Sequence, residues 1–204
     1  MIIPLHPKNP NPRDLRKVIE LLNNDGVIII PTDTIYAMAC RSGSKKAIER
    51  MSKISGNKTG KMNFSLICSD LSNISEFTAP FDRAVFRLMK NNLPGPFTFI
   101  LKTNQHVTKI FSGIKKNIGI RVPDNVITQH IVAELGSPLV VASIHASDII
   151  EEYMTDPVEI HEKFENEVDE VIDGGSGGNV PSTIIDCSGD EIKIVRQGKG
   201  ILNN

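Results

Sequence analysis

Val27-Ile28-Ile29-Ile30-Pro31-Thr32-Asp33-Thr34-Ile35-Tyr36 is the stretch on which the fold turns. Four β-branched apolar residues follow the turn-like Asn23-Asn24-Asp25-Gly26, and they predict a short strand buried on both faces. Pro31 removes a backbone donor and stops the ladder. Two hydroxyls, a carboxylate and a phenol come directly after that stop. In an α/β sheet the carboxyl end of a buried strand is where ligands bind. An ordinary strand followed by an Asx-type turn reads the same ten residues equally well.

On the N-terminal side, Asn11-Pro12-Arg13-Asp14 is a helix start, with a capping residue, proline at the first position and an acid in the first turn. Leu15, Val18, Ile19 and Leu22 follow at helical spacing. On the other side a second helix starts near Ser44, with Ala47, Ile48, Met51 and Ile54 inward and Lys45, Lys46, Arg50 and Lys53 outward. Residues 64–68, 97–101, 118–122, 139–142 and 168–172 read as further strands. Residues 183–187 and 192–195 read as a closing pair. Asp82 is expected to cap a helix that buries Val85, Phe86 and Met89. Asp124 is expected to cap another that buries Ile127, Ile131 and Leu135 and ends at Gly136. Asp156-Pro157 opens a last, acidic helix carrying Ile160 and Phe164. Interleaved helices and strands, with no Pro/Ser linker, internal repeat or low-complexity tract, predict one α/β domain over residues 1–204 with a mixed sheet.

The composition sets limits. At 204 residues, 40% hydrophobic and 23% charged, the chain has the make-up of an ordinary soluble protein with a sizeable core. Its apolar runs are too short to cross a membrane as a helix. No export signal stands at the start. Cys40, Cys68 and Cys187 are odd in number and widely spaced, which suits a reducing compartment. A cytoplasmic location is the expectation, with no membrane partner. Net charge is −1, but the charge is uneven. Arg41, Lys45, Lys46, Arg50, Lys53, Lys58 and Lys61 crowd together, and residues 151–173 are heavily acidic. That pattern fits a basic face for phosphate or nucleic acid, and equally two solvated helices of opposite sign.

The familiar catalytic signatures are missing: no glycine-rich dinucleotide fingerprint, no Walker A loop, no nucleophile elbow, no zinc-binding histidine pair. The five histidines form no metal set. His145 alone follows a buried strand, where a structural role is the commoner one. Gly174-Gly175-Ser176-Gly177-Gly178 can approach an anion closely, or form a simple turn. What recurs is an apolar strand running into hydroxyls: Thr32 and Thr34, Ser143, then Ser182 and Thr183. Arg121 and Arg196 lie near strand ends. Hydroxyls and guanidinium groups hold phosphate and carboxylate oxygens by charge-assisted bonds. No nucleophile with a base stands out, so no residue is assigned a catalytic role. The residues describe a site that binds and orients an anionic, nucleotide-like ligand.

Five motifs in order resemble one family. They are Pro31-Thr32-Asp33-Thr34-Ile35-Tyr36, Leu93-Pro94-Gly95-Pro96-Phe97-Thr98, Gly119-Ile120-Arg121-Val122-Pro123, Pro181-Ser182-Thr183-Ile184-Ile185-Asp186 and Val195-Arg196-Gln197-Gly198. Spanning roughly residues 12–200, they look like the YrdC/YciO family, related to the threonylcarbamoyl-adenylate synthases of tRNA modification. The stretches Asn63-Phe64-Ser65-Leu66 and Phe86-Arg87-Leu88-Met89-Lys90 are closer to its YciO branch. The resemblance implies a twisted mixed sheet flanked by helices, the YrdC-like fold, with a concave basic surface for nucleotide or RNA. It implies that Thr32, Thr34 and Tyr36 line a threonine and carbamate end. It implies that Arg121, Ser143, Ser182 and Arg196 contact the nucleotide phosphates or the threonine, with Mg²⁺ accompanying ATP and no metal held by the protein itself; Lys58 or Lys61 would stand at the phosphates as point charges in place of a family pair that this chain lacks.

Two departures bear on activity. The synthases carry Lys-x-Arg in the loop after the second helix, whereas residues 53–61 here contain none in any register. They also carry Ser-x-Ala-Asn where this chain has Ser143-Ile144-His145-Ala146. Losing both contacts costs on the order of 2–6 kcal/mol of ligand binding. The resemblance therefore implies an RNA- and nucleotide-binding protein, for tRNA or double-stranded RNA, linked to tRNA threonylcarbamoyladenosine modification and its partner proteins. The alternative is an active synthase that makes threonylcarbamoyl-AMP and pyrophosphate from threonine, bicarbonate and ATP.

Overall fold

The computed structural model describes residues 2–55, 64–111, 116–144 and 153–203. In chain order its elements are β1 (Ile2–Pro4), α1 (Pro12–Asn23), β2 (Val27–Ile30), β3 (Ala37–Arg41), α2 (Lys45–Ile54), β4 (Ser65–Ile67), α3 (Leu71–Ile74) and α4 (Arg83–Asn92). These are followed by β5 (Phe97–Lys102), α5 (Gln105–Ile110), β6 (Asn117–Arg121), α6 (Val126–Leu135), β7 (Leu139–Ser143), α7 (Pro157–Phe164), β8 (Glu170–Asp173), β9 (Thr183–Asp186) and β10 (Lys193–Arg196). All ten described strands join one mixed sheet in the order β1-β8-β2-β3-β7-β4-β6-β5-β9-β10. Parallel pairs such as β2 with β8 and β5 with β9 are mixed with antiparallel ones such as β3 with β7 and β5 with β6.

β2 is buried at all four positions because it serves two cores. Val27 and Ile29 join a cluster with Ala47, Ile48 and Met51 of α2, Leu88 and Met89 of α4, and Ile160 of α7. Ile28 and Ile30 join a second cluster on the opposite face, with Leu15, Val18 and Leu22 of α1 and Ile127 and Ile131 of α6. Side chains of a strand alternate between faces, so a four-residue apolar run satisfies both layers. The two helices of the second layer do not span the sheet. Its apolar cluster reaches Ile67 of β4 and stops there.

One strand was not foreseen, and three expectations need correction. The helix expected near Ser44 is in place as α2, but the segment after Pro31 first adds a strand that the sequence reading did not place. It turns a hairpin, with Ile30 opposite Ala37, and Ala37-Met38-Ala39-Cys40 is a strand built from residues of modest β propensity. The cap of α6 is Asn125, whose side chain accepts from the Thr128 N–H, while the Asp124 N–H donates to Asp33. Helix α4 buries Val85, Leu88 and Met89, and Phe86 is exposed. Arg50, expected to face outward, donates from Nη1 to Asp169 at 2.7 Å and from Nη2 to the Glu167 carbonyl.

Candidate functional site

Where α1 and α6 leave the sheet uncovered, its face changes from apolar to polar and small. Pairing sets a row across five strands: Val141, Ser65, Gly119, Ile100 and Asp186. Along β6 the same face carries Asn117, Gly119 and Arg121. These residues form the floor of an open cleft of about 670 Å³, further lined by Ala37, Thr98, Ser143, Ser182 and Arg196. That volume suits a nucleotide-sized ligand. Gly119 keeps the centre of the floor low, since a Cβ there would meet Ser65 Oγ at 2.4 Å.

Arg121 is the buried cation of the cleft, 6% exposed. Its Nη2 donates to Asp33 Oδ1 and to Thr34 Oγ1, both at 2.9 Å. Asp33 also accepts the Asp124 N–H at Oδ2. The Thr32 hydroxyl donates to the Ile35 carbonyl at 2.6 Å, so in its 3.0 Å contact with Thr34 the Thr34 hydroxyl is the donor. The hydroxyls thus run as a chain from Arg121 through Thr34 and Thr32 to the Ile35 carbonyl. Burial pulls the Arg121 pKa below its usual value, the Asp33 carboxylate pushes it back, and nearby Arg196 adds to the lowering. Arg121 stays charged, because a guanidinium does not deprotonate in proteins. Its Nε is buried without a hydrogen-bond partner among the described residues.

At the neighbouring strand end, Arg196 donates from Nε and Nη2 to the Ser182 carbonyl, at 3.3 and 2.9 Å. The Ser182 hydroxyl lies 2.7 Å from Thr98 Oγ1. Next to it, Thr183 Oγ1 donates to the Gly200 carbonyl and accepts from the Gly198 N–H and from Gln197. The segment after β10 is thereby strapped across β9, and Lys199 Nζ reaches the Asp33 carbonyl at 2.6 Å.

The structure therefore brings together Arg121, Ser143, Ser182 and Arg196 on one cleft. Thr32 and Thr34 stand behind Arg121 with their hydroxyls engaged. They line a second cavity of about 440 Å³, together with Asp33, Asn125, Lys199 and residues 174–178. Tyr36 is fully buried and lines neither cavity. Its hydroxyl donates to the Gly175 carbonyl at 2.7 Å and accepts from the Gly174 N–H. Lys58, Lys61 and His145 lie outside the described residues. Sequence reasoning missed Ser65, Thr98, Asn117, Gly119 and Asp186. Their signal was the polar parity of Asn117, Gly119 and Arg121, and of Ser182 and Asp186, on otherwise apolar strands.

The tie between the Tyr36 hydroxyl and Gly174-Gly175 can be tested directly. Tyr36→Phe removes one donor and one acceptor from a buried site and is expected to cost about 1–2 kcal/mol in urea unfolding. Burial pushes the phenol up from 10.0 to about 12. From pH 10 to 12 the unfolded chain loses this proton while the folded chain keeps it, so wild-type stability falls across that window. The variant should fall less; an identical decline in both would contradict the assignment.

Among the described residues lining the cleft, the hydroxyls of Ser65, Thr98, Ser143 and Ser182 have no histidine or lysine beside them. Cys40 and Cys68 are buried, with thiols pushed up to about 12 by desolvation. The arrangement binds, orients and neutralises anionic charge. No cluster of three or more metal-ligating side chains occurs among the described residues.

The Sua5/YciO/YrdC family model, described as Telomere recombination, matches residues 20–198. The chain belongs to the Sua5/YciO/YrdC family. YciO of Escherichia coli K12 is 40% identical over 199 residues, 96% of this chain and 94% of YciO. Its crystal structure superimposes with a TM-score of 0.90, covering 98% of this chain and 97% of that one at 39% identity. The putative threonylcarbamoyl-AMP synthase of Methanocaldococcus jannaschii is 32% identical over 194 residues, 92% of this chain and 89% of that protein. Sua5 of P. abyssi, solved with L-threonine, shares the fold at a TM-score of 0.87 and 20% identity, over 97% of this chain and 57% of that one. The twisted mixed sheet flanked by helices is thus the Sua5/YciO/YrdC fold. No described helix is long and apolar enough to cross a membrane.

Proposed function

We propose that this chain is a nucleotide- and RNA-binding member of the family, linked to tRNA threonylcarbamoyladenosine modification, with an adenine nucleotide lying in the 670 Å³ cleft. The observation that carries this reading is the pair of guanidinium groups, Arg121 and Arg196, beside Thr98 and Ser182 on a sheet face that the apolar cluster of α1 and α6 does not reach. Arg196 keeps Nη1 free of the bonds it makes to Ser182. Two guanidinium groups and two hydroxyls suit phosphate oxygens. Mg²⁺ would enter on the ATP phosphates, which is its usual mode of binding. RNA would meet the exposed Lys45, Lys46 and Lys53 of α2, with an affinity that falls steeply with salt.

Calorimetric titration with ATP and Mg²⁺ tests the reading. Arg196→Ala should weaken binding by about 10- to 100-fold, the equivalent of one charged hydrogen bond. Unchanged affinity would remove the nucleotide from this cleft. A second reading, active threonylcarbamoyl-AMP synthesis, is favoured by the identity to the Methanocaldococcus jannaschii protein. It requires pyrophosphate release that needs threonine and bicarbonate together, and that Arg196→Ala abolishes.

A further inference from the structure

The cleft is chemically polar along its length. Arg121 and Arg196 stand at one end. At the other, Asp186 and Asn117 are joined through Ser188. The Ser188 hydroxyl donates its single proton to Asp186 Oδ1 at 2.6 Å and accepts from Asn117 Nδ2 at 3.0 Å. The Ser188 N–H also donates to Asp186 Oδ1, at 2.8 Å. Both bonds to Asp186 use the same carboxylate oxygen, and the Asn117 amide spends its nitrogen on Ser188. Among the described residues this leaves Asp186 Oδ2 and Asn117 Oδ1 as two acceptors on residues that line the cleft.

A carboxylate repels phosphate and accepts from hydroxyls. It therefore sets the direction in which a nucleotide can lie. Asn117 and Arg121 are four residues apart on one strand, about 13 Å between Cα atoms at ~3.3 Å per residue. Asp186 lies two strands from Gly119, roughly 10 Å across the sheet. With long arginine side chains reaching inward, these spacings fit the distance from a nucleotide's phosphate to the hydroxyls of its ribose. A carboxylate accepting ribose hydroxyls is a recurrent device in dinucleotide sites.

We propose that Asp186, held by Ser188 and assisted by Asn117, is the ribose-recognition group of the cleft and makes it selective for ribonucleotides over deoxyribonucleotides. This rests on the nucleotide-binding reading above, and it adds the orientation: phosphates at Arg121 and Arg196, ribose at Asp186. The ligand is held by its sugar as well as by its charge.

Calorimetric titration with ATP, 2′-deoxy-ATP, 3′-deoxy-ATP and inorganic pyrophosphate, each with Mg²⁺, decides the matter. The wild-type protein should bind ATP about tenfold or more tighter than at least one of the deoxy analogues, the effect of one hydrogen bond to a charged group. Asp186→Ala should bring that ratio below about twofold while leaving pyrophosphate affinity within about twofold, since pyrophosphate occupies only the arginine end. Asp186→Asn keeps the acceptor for the Ser188 turn, and it should also lose most of the discrimination with the fold intact by circular dichroism. Equal affinities for ATP and both deoxy analogues, or a ratio that survives in both variants, would overturn the assignment and leave nucleotide binding standing. Failure of ATP and pyrophosphate to bind at all would overturn the nucleotide reading itself.

Discussion

Asp33→Ala is expected to destabilise the fold by about 3–5 kcal/mol, the range for breaking a buried ion pair from one side. Asp33 and Arg121 side chains are each only 7% exposed, and their closest approach is 2.9 Å. Removing the carboxylate leaves Arg121 with the Thr34 hydroxyl as its remaining hydrogen-bond partner among the described residues, and it also orphans the Asp124 N–H at the entry to α6. Water cannot replace these contacts readily at such burial, so the cost is that of an uncompensated charge rather than of a lost surface bridge. Urea unfolding of the wild type, Asp33→Ala and the double variant Asp33→Ala/Arg121→Met measures it. The double variant should recover part of the loss, because a methionine fills the guanidinium's space without its charge. A loss under about 1 kcal/mol in the single variant, or no recovery in the double, would mean that the pair does not hold the hairpin loop to β6. The expected loss with partial recovery would make Asp33 a structural residue that matters to the cleft by fixing Arg121.

This pair also shows what a sequence reading can and cannot reach. Asp33 and Arg121 were both visible as polar residues beside apolar strands, yet nothing within 88 positions of chain joins them. Only the order β3-β7-β4-β6 brings the hairpin loop to the end of β6. The same tertiary link runs past the misplaced cap of α6. Asp124 and Asn125 are both good caps in isolation; Asn125 takes the position, its side chain accepting from the Thr128 N–H, while the Asp124 backbone is tied to Asp33. Elements with strong local physics were legible: the β-branched run of β2, the Asn11-Pro12 start of α1, the left-handed Gly136 that ends α6. Strand β3 was not, since alanine, methionine and cysteine carry little β signal and the strand is fixed by its neighbours β2 and β7. Phe86 misled for a simpler reason. Its size suggests burial, but Val85, Leu88 and Met89 already complete the inward stripe of α4. Of the cleft, the sequence announced the arginines and the strand-end hydroxyls. Which strand face lies bare was set by where α1 and α6 stop, and that is a property of packing rather than of any one segment.

Gly119→Leu carries the largest expected effect on binding, because Gly119 sits between the two ends of the cleft. On one side of it is Ser65 of β4, on the other Ile100 of β5. A Cβ at this position would lie 2.4 Å from Ser65 Oγ and 3.0 Å from Thr98 Cγ2. The Ser65 hydroxyl is the end of a rotatable side chain and can swing aside, so the strand itself should survive, at an overpacking cost of about 1–3 kcal/mol. The leucine side chain, however, has only the cleft to rise into. A ligand reaching from Arg121 to Asp186 must cross that point, and ATP affinity should fall by more than about 100-fold, near 2.7 kcal/mol. Inorganic pyrophosphate needs only the arginine end and should lose less than about threefold. Gly119→Ala tests the geometry more gently and should give an intermediate loss, since one methyl narrows the floor without bridging it. Circular dichroism and urea unfolding separate blocked binding from a damaged fold. If Gly119→Leu folds and still binds ATP at wild-type affinity, the nucleotide does not lie across this floor, and this face of the sheet must owe its polar character to something else.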